Sequence, residues 1–66
     1  MPKTLEELAS MIAKRDNISF EEAMAVIRDC AADMEQAFYN GSLDEAEDLL
    51  KDYLGLEPDY LDLFIF

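Results

Sequence analysis

The run Ser42-Leu43-Asp44-Glu45-Ala46-Glu47-Asp48-Leu49-Leu50-Lys51-Asp52-Tyr53-Leu54-Gly55 carries a helix start, an apolar stripe and a helix stop. Ser42 followed three residues later by Glu45 is a capping box: the hydroxyl satisfies a free backbone N–H, and the carboxylate reaches back toward the cap. Leu43, Ala46, Leu50 and Tyr53 or Leu54 recur at helical spacing and are expected to face inward, with Leu49 at the edge. Gly55 suits the left-handed backbone that ends a helix, and Leu56 is placed for the apolar contact that often follows. The pattern predicts a helix over Leu43 to Leu54.

The same start signal occurs twice upstream, as Thr4 with Glu7 and Ser19 with Glu22. A first helix is expected from about Leu5 to Arg15, with Leu5, Leu8 and Ile12 as its stripe and Met11 beside it. Lys14 and Arg15 fall in its last turn, where cations suit the helix dipole, and Asp16-Asn17 make the turn. A second helix is expected over Phe20 to Tyr39, ended by Asn40-Gly41. Phe20, Met24, Ile27, Ala31, Met34 and Phe38 alternate spacings of four and three, a heptad seam that Ala23, Cys30 and Ala37 widen. Pro58 fits the first position of a short fourth helix reaching about Phe64, while Leu61, Leu63 and Ile65 alternate as in an extended tail. The expectation is one all-α domain over residues 1–66: a compact bundle of three helices plus a short C-terminal fourth helix or extended tail.

A chain of 66 residues buries only about 60% of the surface its unfolded form exposes, so its core is thin. Such chains often add a disulfide, a metal or a second copy. Cys30 is the only cysteine and there is no histidine, which removes an internal disulfide and a zinc cage and leaves self-association. Phe20, Met24, Ile27, Met34 and Phe38, with Leu61, Phe64 and Phe66 of the apolar end, are candidate residues of a homodimer interface. The lone cysteine suits a reducing compartment. The acidic start lacks a signal-peptide pattern, and the longest apolar stretch, Leu63 to Phe66, is far short of the roughly 20 residues that span a bilayer. A cytoplasmic location is expected.

Charge is the most unusual feature. Five bases face sixteen acids, for a formal net charge of −11. Residues 1–28 hold five acids and four bases; residues 29–66 hold eleven acids and only Lys51. Nucleic acid and anionic lipid are poor partners for such a surface, and a basic protein is a favourable one. Asp44, Asp48 and Asp52 lie at four-residue spacing and form one file, about 6 Å between members at a rise of about 1.5 Å per residue. Asp29 and Asp33 form a shorter file. Like charges at this spacing cost an isolated helix roughly 0.2–0.5 kcal/mol per pair, with Glu47 to Lys51 the clearest compensating pair. These five aspartates are the candidate partner-binding residues, as a carboxylate row resembling a row of phosphates and aimed at a basic DNA-binding protein. The competing reading is a solvated face that serves only solubility.

Catalytic chemistry finds little support. Without histidine there is no Ser-His or Cys-His relay, and Cys30 falls on an inner face, as a small core residue would. Met11, Met24 and Met34 also lie on inner faces. Asp44-Glu45-Ala46-Glu47-Asp48 lacks the alternating ligands and glycine of a calcium loop. Gly41 and Gly55 are helix stops rather than parts of a phosphate loop. No enzyme activity, cofactor or metal is expected.

Ile12-Ala13, Ile18-Ser19, Glu22-Ala23, Ile27, Met34, Ala37-Phe38 and Gly41 fall without gaps on the pattern of HU/IHF-type DNA-bending proteins. Residues 12–41 thus resemble the helical half that builds the dimer body in that family, which implies dimerisation through the second helix. After Gly41 the family continues with a β-sheet and basic DNA-holding arms, whereas Ser42 to Asp62 here is helical and acidic. DNA binding is therefore not implied; a further hypothesis is that the protein antagonises such a DNA-binding protein, by occupying its basic cleft or its dimer partner's place. As a whole the chain is similar to small acidic proteins of phages and mobile elements, through its size, charge and the run Leu54 to Leu61, a likeness that implies no activity.

Overall fold

The computed structural model describes residues 2–65. Three α-helices and a 3-10 helix follow in order: α1, Leu5–Asp16; α2, Phe20–Tyr39; α3, Leu43–Leu54; and the 3-10 helix, Pro58–Phe64. No strand occurs among the described residues.

Local chemistry accounts for the boundaries. Thr4, Ser19 and Ser42 each accept the backbone N–H three residues on, from Glu7 at 3.1 Å, Glu22 at 3.0 Å and Glu45 at 3.4 Å. The returning half of the capping box differs from expectation. The Glu7 carboxylate accepts the N–H of Lys3 at 2.6 Å, one residue before the cap, and no such return bond from Glu22 or Glu45 is present among the described residues. Each α-helix ends on left-handed backbone at Asn17, Gly41 or Gly55. Past Asn17 and Gly41 the chain makes the six-to-one bonds of a Schellman stop, Ile18 N–H to Ala13 O and Ser42 N–H to Ala37 O. Gly55 makes the simpler bond to Lys51 O at 2.8 Å.

α2 packs against both α1 and α3, and the 3-10 helix packs on α3. The molecule is 33 Å along its longest axis, which matches the length of α2 at about 1.5 Å per residue. The core comprises Leu8, Ala9 and Ile12 of α1, Ala23, Ile27, Cys30, Met34 and Ala37 of α2, and Ala46, Leu50 and Leu54 of α3, closed by Leu56 and Phe64. The Tyr60 hydroxyl meets the Met11 sulfur at 4.0 Å, so the apolar end folds back over the helices. No described helix is long and apolar enough to cross a membrane.

Two inward assignments shift. On α2 the fully buried stripe includes the small residues Ala23, Cys30 and Ala37, where neighbouring helices approach closely, while Phe20 is exposed and Met24, Ala31 and Phe38 are half-buried. On α3, Leu54 rather than Tyr53 enters the core, and Leu43 is 58% exposed. Leu43 is the first residue of α3, just past the end of α2.

Candidate functional site

Three features present chemistry at the surface: the α3 carboxylate file, the α2 pair beside it, and an apolar groove at one end of the bundle. Ala46 and Asp48 are two residues apart, about 200° of rotation, so burying Ala46 and Leu50 turns the file outward. Asp44, Asp48 and Asp52 are all exposed, and none is in an ion pair among the described residues. The ion pair present there is Arg15–Asp16 at 2.8 Å, at the end of α1, with the Arg15 guanidinium close to Gly55 at the end of α3. It holds the Asp16 carboxyl below the usual carboxylate range through the hydrogen bond from Arg15. The expected Glu47–Lys51 pair is not formed; Lys51 is exposed in the last turn of α3.

The α2 pair is drawn to α3 by a direct contact. The Tyr53 hydroxyl donates to the Asp33 carboxylate. That bond, followed by partial burial and the charges of Asp33 and Asp29, pushes the Tyr53 phenol above its ordinary pKa. The structure therefore brings Asp29 and Asp33 beside Tyr53, which stands about 100° round α3 from Asp52, so both helices contribute exposed carboxylates to the acidic half.

Cys30 lies beneath this surface, fully buried. Its thiol faces the Met34 sulfur at 3.4 Å and the Leu49 carbonyl at 3.8 Å. Burial, then the nearby Asp33 charge, raises its pKa to about 11, so it stays protonated and inert at neutral pH. Among the described residues no three histidine, cysteine or acidic side chains converge as a metal site.

The candidate interface residues separate. Ile27, Met34 and Phe64 are buried in the core of the bundle, because the bundle already uses them to seal itself. Met24, Phe38 and Leu61 are half-buried against that core, and Phe20 is exposed. Phe66 lies outside the described residues.

The groove was not legible beforehand. It encloses about 590 Å³ and is lined by Glu35, Phe38 and Tyr39 of α2, Leu43 of α3, Phe64 of the 3-10 helix, and Ile65. Of the five large apolar side chains left exposed among the described residues, Tyr39, Leu43 and Ile65 all belong to it. Each stands at or just past the end of an element, which is the signal a helical-wheel reading overlooks.

No family model, curated protein or solved structure matches this chain.

Proposed function

We propose that this protein is a non-enzymatic binding module of the cytoplasm whose acidic face, built from Asp44, Asp48 and Asp52 with Asp29 and Asp33 beside them, docks on a basic protein. The observation that carries this reading is the outward file on α3, three carboxylates on one exposed stripe with no cation paired to them among the described residues. The repulsion within such a file weakens the helix that carries it. A partner supplying lysines and arginines relieves that repulsion, and long-range attraction speeds the encounter. A basic groove that ordinarily holds phosphates offers the right charge, and the likeness of residues 12–41 to HU/IHF-type proteins makes a dimeric DNA-binding protein the first target to try. Capture from cell extract tests the reading. A basic partner is retained at about 50 mM salt and released at about 500 mM, where screening shortens to a few ångströms. Retention unchanged by Asp44→Asn, Asp48→Asn and Asp52→Asn together contradicts it.

A second reading, an assembly module whose charge serves solubility, draws support from the exposed apolar side chains Tyr39, Leu43 and Ile65. Sedimentation mass decides it: a monomer at all concentrations removes it.

A further inference from the structure

We propose that the groove between the ends of α2, α3 and the 3-10 helix receives the apolar face of a cationic amphipathic helix from the partner protein. This rests on the acidic-face reading above and adds to it a second, apolar point of contact. Isolated surface apolar residues need no explanation, but three of the five exposed large ones among the described residues meeting in a single depression do. A volume of about 590 Å³ falls in the range of formed ligand sites, and a groove of this kind takes the spaced apolar anchors of a helix.

Charge selects the occupant. Among the described residues, Glu35 is the carboxylate of the lining, exposed and in no ion pair, and no lysine or arginine lines the groove. Leu43, on the groove wall, is followed by Asp44, the first member of the α3 file, about 100° further round the helix, so the nearest end of the carboxylate file starts one residue beyond the groove. A two-fold dimer would place this patch against its own copy, bringing Glu35 and the adjoining carboxylates of two chains of net charge −11 together with no cation between them. A helix with leucines on one face and lysines on the other meets both halves of the surface: leucines against Phe38, Leu43 and Ile65, lysines toward Glu35 and Asp44.

The test uses a labelled leucine–lysine peptide with its leucines on one helical face, a scrambled peptide of the same composition, and the full-length protein, with binding followed by fluorescence anisotropy. The amphipathic peptide is expected to bind at least about tenfold more tightly than the scrambled one, and Leu43→Gln with Ile65→Gln to remove that advantage. Both side chains are exposed, so the double variant is expected to fold, which circular dichroism checks. Equal binding of the two peptides, or no effect of the double variant, overturns the groove proposal. A wild-type dimer that the double variant dissociates also overturns it, by making a second copy the occupant. Neutralising Asp44, Asp48 and Asp52 separates the two ideas. If the amphipathic advantage survives while attraction at low salt is lost, both stand; if low-salt attraction is unchanged, the acidic-face reading fails and the groove stands alone.

Discussion

The Tyr53 hydroxyl on α3 donates to the Asp33 carboxylate on α2, joining the two acidic helices at the surface directly above the buried Cys30–Leu49 contact. The bond favours the neutral phenol, because the carboxylate accepts its proton and repels the phenolate. Asp33→Asn is expected to lower the Tyr53 titration midpoint, followed through the ring resonances of that residue. A midpoint that does not move means the contact is absent in solution.

Alkaline sensitivity follows from Cys30 and Tyr53 together. Both hold their protons more tightly in the folded state than in the unfolded one. Their contribution to stability is therefore complete below the unfolded values of 9.0 for the thiol and 10.0 for the phenol, and declines as pH rises through the folded values, about 11 for Cys30. The thermal midpoint is expected to fall between pH 9 and 11, with a shallower fall in Cys30→Ala. A midpoint that rises over that interval contradicts the buried thiol.

The core is thin, so single truncations are costly. Leu50 is fully buried on the inner face of α3. Leu50→Ala is expected to remove about 2–5 kcal/mol, a large part of the roughly 5–15 kcal/mol that holds a small domain. Urea denaturation measures it. A loss below about 1 kcal/mol would mean that α3 is not docked as described.

Helix boundaries were legible because their causes are local. Ser19, Ser42, Gly41 and Gly55 act within a turn of themselves, and α2 and α3 begin and end where these residues predict. Pro58 marked the fourth helix, but not its 3-10 form, which the sequence pattern does not distinguish from an α turn. The outward direction of Asp44, Asp48 and Asp52 was legible from periodicity alone. Two things were not. The choice of Ala23, Cys30 and Ala37 over Phe20 and Phe38 for the deepest places on α2 depends on how closely its neighbours approach. The groove depends on where three element ends meet, and no single helix encodes that: Leu43 reads as a core residue until its position past the end of α2 is seen.

The unpaired file makes a prediction about salt. Adjacent carboxylates stand about 6 Å apart along the axis of α3, within the Debye length of about 10 Å at 0.1 M and beyond that of about 3 Å at 1 M. Added sodium chloride is expected to raise the thermal midpoint, and replacing Asp44, Asp48 and Asp52 with asparagine to raise it at low salt and flatten the dependence. Destabilisation by salt would mean that these carboxylates sit in favourable pairs.

Carbodiimide cross-linking in cell extract, with the joined residues mapped by mass spectrometry, most directly tests whether the acidic half is the docking face. The reagent couples a carboxylate only to an amine already in contact with it. The account predicts cross-links to partner lysines concentrated at Asp44, Asp48 and Asp52 and the adjoining Asp29 and Asp33, with few at Glu6, Glu7, Glu21 or Glu22, which are exposed on the charge-balanced half. Cross-links spread evenly over both halves, or confined to α1, would contradict it.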